Sequence, residues 1–229
     1  MLKSILFDLD GLLVDSEPLQ FRAYQIALKS FGVSLDHQAW IEWHSVEAST
    51  TRWINDQKLD LDPEEVRNTK KAHYEKLIEN ELELKPGAAD LVKACAEEFE
   101  IAIVSSSRRE SIEVCMQKFG LLQYFPLIVS GTELPRSKPF PDSYLDALKK
   151  MDVNAQEAFA LEDSTTGFSA AKAACIPCII CPDLFIPKAS GAFEGAALVV
   201  DSLHQLDATA LKALHMSVLE KSKKPVGVS

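Results

Sequence analysis

Short apolar runs rich in β-branched residues recur along the chain: SILFD from Ser4, EIAIVS from Glu100, PLIVS from Pro126, AFALE from Ala158, IPCII from Ile176 and ALVV from Ala197. Runs this short and this continuously apolar predict strands buried on both faces. Between them lie AADLVKACAEEF, RRESIEVCMQKF, PDSYLDALKKM and TTGFSAAKAA, whose apolar residues fall at three- and four-residue steps and predict helices. Strand and helix alternate, so the expected fold is α/β: a Rossmann-like parallel sheet with helices on both faces and right-handed crossovers.

From about Ser16 to Leu82 the rhythm changes. Helix signals follow one another and no convincing strand intervenes. Ser16, Glu17 and Pro18 open one helix, which Gly32 stops after LQFRAYQIALKSF. Asp62 and Pro63 open another, with Glu65 placed three residues beyond Asp62 as in a capping box. The expected organisation is an α/β core, residues 1–15 and 83–229, carrying an all-helical insertion at 16–82. Within the insertion Trp40, Trp43, His44 and Trp53 cluster, with Arg52 nearby. Helical spacing puts Trp40 and Trp43 on one face, and a self-packed interior is the favoured reading. The alternative turns Trp43, His44 or Arg52 toward a substrate.

Composition narrows the function classes. The 229 residues are 47% hydrophobic and 25% charged, as in an ordinary globular protein. The formal net charge is −10, which disfavours nucleic acid and anionic membranes as partners. There is no apolar run of the ~18 residues a membrane span requires, and acidic residues interrupt the amino-terminal stretch too early for a secretory signal, so a cytoplasmic location is the expectation. Five cysteines in apolar segments suit buried, reduced thiols. The run CIPCIIC holds overlapping Cys-x-x-Cys spacings, but strand geometry would send residues three apart to opposite faces. Neither a Walker A loop nor a G-x-G-x-x-G fingerprint is present.

The chemistry concentrates where the predicted strands end. In ILFDLDGLLVDSEP, Asp8 and Asp10 follow the first apolar run and Gly11 turns the backbone away. Carboxylates at i and i+2 project to the same side, where open α/β sheets bind ligands. Like charges this close require a cation between them or a retained proton. Ser105, Ser106 and Ser107 follow EIAIV, Lys138 lies in SKPFPD, and Glu162 and Asp163 close AFALE. Hydroxyls, an ammonium and carboxylates at neighbouring strand ends suit a bound phosphate. Each group also has a plainer use: the serines and Asp163 as helix caps, Lys138 as a surface residue before a turn.

These four ordered segments resemble the motifs of the haloacid dehalogenase-like superfamily, in its capped phosphatase and phosphomutase branch, from Leu2 to about Leu206. The resemblance implies that Asp8 is a nucleophile forming an aspartyl phosphate, and that Asp10 is the acid for the leaving oxygen and the base for water. It further implies Mg2+ held by Asp8, the main-chain carbonyl of Asp10, Asp163 and, directly or through water, Glu162. Phosphate would be bound by Gly11, Ser105, Ser106 and Lys138, and Lys138 would also neutralise charge on the reacting groups. The implied substrate is a small phosphorylated metabolite such as a sugar phosphate, and the helical insertion becomes a cap.

Within that branch a β-phosphoglucomutase-type transfer is the alternative to hydrolysis. A mutase needs a second phosphate-holding group in the cap. The position of the family's cap arginine falls at or near Ala48, and that of its hinge histidine at Gln20. Both departures favour hydrolysis, with Arg52 as the remaining candidate holder. A third reading is a non-catalytic binding module on the same fold. One further departure is Cys175, where the family often has glycine.

Overall fold

The computed structural model describes residues 1–45, 49–183 and 191–223, with the side chains of residues 44, 45 and 221–223 outside that description. The expectations placed on His44 and Ala48 therefore lie outside the described residues.

Among the described residues six strands, β1 (Ser4–Phe7), β2 (Glu100–Ser105), β3 (Leu127–Ser130), β4 (Ala158–Glu162), β5 (Cys178–Ile180) and β6 (Leu198–Val199), form one sheet. Its order is β3-β2-β1-β4-β5-β6 and every pairing is parallel. The chain winds outward from β1 to β3, then returns to the other side of β1 with β4. The two flanks therefore diverge at β1, the place where ligands bind beyond the strand ends of such sheets. Phe7 is paired with Ile103 on one side and Leu161 on the other, so β2 runs two residues and β4 one residue past the end of β1. Burial of all four β1 side chains explains why three apolar residues, Ile5, Leu6 and Phe7, follow one another without alternation.

The helices after β1 are α1 (Glu17–Ser30), α2 (His37–Ser45), α3 (Thr50–Asp56), α4 (Pro63–Glu81), α5 (Ala88–Glu98), α6 (Arg109–Lys118), α7 (Asp142–Met151), α8 (Thr165–Ala173) and α9 (Ala208–Lys223). The chain divides into two compact units. One comprises Met1–Val14, Leu84–Pro182 and the chain from Gly191, and holds the sheet with α5 to α9; the other contains Asp15–Glu83 with α1 to α4. The first is centred on a cluster that includes Leu6, Val104, Tyr144, Ala160, Phe168 and Ile180.

In the helical unit α1 and α4 pack along each other, and Arg22 on α1 pairs with Glu81 on α4. Pro63 begins α4, and Asp62 caps it by accepting from the Glu64 amide at 2.9 Å, one residue earlier than the capping-box arrangement expected with Glu65. Ser16 precedes α1 but makes no capping bond through its hydroxyl. Trp40, Trp43 and Trp53 are buried with Leu28, Leu35, Ile54 and Val66, and the Trp43 and Trp53 rings stack at 4.7 Å. The tryptophans are the unit's own interior. Arg52 is exposed and ion-paired with Asp56 at 3.5 Å.

The cysteines correct one expectation. Cys95, Cys115, Cys178 and Cys181 are buried free thiols, but Cys175 is exposed. Cys175 follows α8 with φ +58°, where the Cys175 amide donates to Lys172 O and the Ile176 amide to Ala171 O, both at 3.0 Å. This is the Schellman arrangement, whose left-handed position suits glycine because a Cβ strains it. Cys175→Gly is expected to stabilise the protein by about 1 kcal/mol, a rise in Tm of roughly 2–4 °C in thermal unfolding.

No helix among the described residues is long and apolar enough to cross a membrane.

Candidate active site

The ends of β1, β2 and β4 bring the predicted residues together. The Asp8 amide continues the ladder beyond β1 by donating to Leu161 O at 3.0 Å, which fixes the backbone from which the Asp8 carboxylate projects. Lys138, from the loop before α7, donates to Asp8 Oδ1 at 2.6 Å, Glu162 Oε1 at 2.6 Å and Val104 O at 2.8 Å. Lys138 is thus no surface lysine; its side chain is 5% exposed.

Burial pushes the Asp8 carboxyl up to about 8, helped by the charges of Glu162 and Asp10 and opposed by Lys138. Burial also pulls on the Lys138 ammonium in the direction of deprotonation, but the charges of Asp8 and Glu162 outweigh it and hold the group protonated beyond the usual lysine range. Asp8 and Glu162, which share the Lys138 ammonium, stand with Asp163 as three buried carboxylates, and one oxygen from each lies within 4.8 Å of the other two. Three buried carboxylates at this spacing, with the Asp8 carboxyl raised, are what a hard divalent cation with oxygen ligands would relieve. The donor set therefore fits such an ion.

Glycine makes the close approach of these groups possible. Gly11 has φ +81°, and a Cβ there would collide with the Asp163 carboxylate, its Cγ lying 2.9 Å away. The Gly11 amide donates to Val14 O at 2.9 Å. Gly11 thus gives Asp163 room, and its amide is engaged within its own turn rather than pointing to a phosphate. At Gly167, in the first turn of α8, a Cβ would overlap the Glu162 carboxylate. Ser164 caps this helix, its hydroxyl oxygen accepting from the Gly167 amide at 3.1 Å.

The serine loop has a different arrangement from a simple row of donors. Ser105 Oγ accepts from the Ser107 amide at 3.0 Å, so the hydroxyl hydrogen is what Ser105 offers to an anion. Ser106 Oγ accepts from Ser137 at 3.0 Å and belongs to an exposed residue. Ser107 donates to Asp10 Oδ2 at 2.7 Å, while its carbonyl accepts from Ser130 at the end of β3 at 2.7 Å. Asp10 is therefore oriented from β2 and β3, apart from the Asp8–Lys138 pair. Arg108 stands at the start of α6 without a side-chain cap, so none of the three serines caps that helix.

Among the described residues, the only group of three or more His, Cys, Asp or Glu side chains with metal-ligand spacing is Asp8, Glu162 and Asp163. The overlapping Cys-x-x-Cys spacings form no such group. Sequence reasoning did not single out Tyr144, which is buried in α7 and donates its hydroxyl to Glu162 Oε1 at 2.5 Å.

Residues 5–181 match the family model described as haloacid dehalogenase-like hydrolase. The chain belongs to that hydrolase family. Among its haloacid dehalogenase-like relatives, Protein CbbY of Cereibacter sphaeroides is 32% identical over 219 residues, covering 90% of this chain and 94% of that protein. Hexitol phosphatase B of Escherichia coli K12 is also 32% identical, over 77% of this chain and 82% of its own length. The crystal structure of CbbY from Rhodobacter sphaeroides in complex with phosphate superposes with a TM-score of 0.77 at 30% identity, covering 90% of this chain and 96% of that one. A mutant of the same protein, solved in complex with xylulose 1,5-bisphosphate, gives a TM-score of 0.77 at 29% identity over the same shares. The sheet with its inserted helical unit is thus the haloacid dehalogenase-like fold with a helical cap.

Proposed function

We propose that this phosphoric monoester hydrolase dephosphorylates a small sugar phosphate, with Asp8 as nucleophile and Asp10 as acid and base. The observation that carries the reading is the division of labour at the strand ends: a buried Asp8 gripped by Lys138, and an Asp10 held separately by Ser107. Relatives with similar sequences or structures bear names or bound molecules that point to phosphorylated hexitols and a pentulose bisphosphate.

An Asp8 carboxylate oxygen attacks phosphorus, and the bond from phosphorus to the sugar oxygen breaks. Asp10 gives its proton to that departing oxygen. Asp10, now a carboxylate, takes a proton from water, whose oxygen attacks the aspartyl phosphate and releases phosphate with Asp8 restored. Lys138 offsets the charge on Asp8 and the transferring group, and the Ser105 hydroxyl donates to a phosphate oxygen. Asp8, Asp163 and the Asp10 carbonyl would hold magnesium, with Glu162 joining directly or through water. When bound, the ion supplies charge neutralisation for an anionic substrate on a protein of net charge −10.

The helical insertion, 16–82, serves as the cap that selects the substrate, and 1–15 with 83–229 as the catalytic core. Hydrolysis is favoured over transfer by Arg52, which is exposed and paired with Asp56 rather than held for a second phosphate. The acidic surface makes nucleic acid and membranes unfavourable partners, and free thiols suit a reducing, cytoplasmic setting.

The test is phosphate release from a panel of sugar and nucleotide monophosphates with and without magnesium. Release from sugar phosphates, reduced to background by EDTA, is the expected result. Conversion of β-glucose 1-phosphate to glucose 6-phosphate without free phosphate, given a trace of the bisphosphate, would show a mutase instead.

A further inference from the structure

Tyr144 is fully buried on α7, and two features of it face the site. Its hydroxyl oxygen lies 2.5 Å from Glu162 Oε1, and its ring centre lies 5.1 Å from Lys138 Nζ. A phenol keeps its proton at neutral pH, so the hydroxyl is the donor in this pair. Glu162 Oε1 thus accepts from two donors, while Oε2, buried against Gly167, has no hydrogen-bond partner among the described residues. The Lys138 ammonium has three hydrogens and three acceptors, Asp8 Oδ1, Glu162 Oε1 and Val104 O. Its direction toward Asp8 is therefore set by where Val104 and Glu162 stand.

We propose that Tyr144 is a positioning residue for phosphoryl transfer, holding Glu162 Oε1 so that Lys138 stays aimed at Asp8. This rests on the reading of Asp8 as nucleophile. Val104 O is main chain of β2 and cannot swing. Glu162 is packed against Gly167, and within that packing the phenol hydrogen bond is a directional restraint on its carboxylate that does not pass through Lys138. Without the hydroxyl, the carboxylate and the ammonium move together as an ion pair. Small displacements of a buried charge matter because stabilisation of developing charge depends on groups fixed in advance. The ring face adds a cation–π contact that a phenylalanine would keep, so the hydroxyl can be tested alone.

A purely space-filling tyrosine predicts that Tyr144→Phe leaves catalysis intact, because the ring still fills the cluster. Positioning predicts a fall in kcat of about 10- to 100-fold for a hydrolysed sugar phosphate, with KM unchanged within about threefold. A second readout needs no turnover: in metal-free protein labelled with 15N at lysine Nζ, the ammonium signal slowest to exchange with solvent is that of buried Lys138. It is expected to shift in Tyr144→Phe. A kcat within about threefold of wild type, or an unmoved signal, overturns the proposal. Unchanged activity in Asp8→Asn would instead overturn the nucleophile, and the nitrogen signal then decides by itself whether Tyr144 holds the lysine.

Discussion

Asp8→Asn is expected to reduce phosphate release by at least about four orders of magnitude while leaving the fold in place. The amide matches the carboxylate in size but cannot attack phosphorus and be regenerated by water. The structure explains why the protein tolerates the change. Lys138 keeps Glu162 Oε1 and Val104 O as acceptors, so no buried ammonium is left alone. The backbone bond from the Asp8 amide to Leu161 O is unaffected. The lost carboxylate is one that burial already disfavours, with its pKa pushed up to about 8 from an ordinary 3.8.

A pH dependence follows from that shift. A carboxyl raised on folding favours the folded state while it is protonated in both states, and that contribution is lost as the pH climbs from the unfolded value through the folded one. Metal-free wild-type protein should therefore lose stability from about pH 4 to about pH 8, and Asp8→Asn should show a flatter profile over the same range. Thermal unfolding of both proteins across that range, alongside assays of released phosphate with magnesium, checks both parts. Full metal-dependent activity in the variant would exclude Asp8 as the nucleophile.

Much of this arrangement was legible from the sequence because parallel strands buried on both faces leave an uninterrupted apolar signature. Polar residues that end such runs then stand out, as Asp8, Ser105, Glu162 and Asp163 do. Lys138 was found through its place in an ordered set of motifs, since nothing local marks a lysine before a proline as buried. Tyr144 could not be found that way. It occupies an inward position of an amphipathic helix alongside Ala147 and Leu148, where an aromatic ring reads simply as core. Only the fold carries its hydroxyl to a carboxylate eighteen residues away. The row of serines likewise suggests for Ser107 a phosphate donor or a helix cap, whereas its hydroxyl bonds Asp10, 97 residues away, a pairing with no local signal. The apolar run around Cys175 suggests burial, and the signal that it lies beyond a helix end is the glycine preference at that position.

Gly167→Ala should be among the most damaging substitutions in the core, although helix propensity predicts the opposite sign. In an exposed helix, alanine in place of glycine gains roughly 1 kcal/mol. Here the added Cβ would occupy the position of the Glu162 carboxylate. Although this is the end of a long side chain, it has nowhere to go: Glu162 is 0% exposed and its Oε1 is held by both Lys138 and Tyr144. Either the first turn of α8 lifts, loosening the Ser164 cap, or the carboxylate leaves Lys138 with one buried partner fewer. Breaking a buried charged network of this kind costs about 3–5 kcal/mol, enough to outweigh the propensity gain. The expected fall in Tm is roughly 6–12 °C in thermal unfolding, with phosphate release lowered at least about 100-fold at temperatures where the variant is folded. Shortening the opposing side chain separates collision from any general intolerance of alanine. In a Glu162→Asp background, where the grip on Lys138 is already given up, adding Gly167→Ala should cost little further Tm, because the aspartate withdraws from the new methyl. A single Gly167→Ala protein that melts higher than wild type would mean that Glu162 does not pack against this helix.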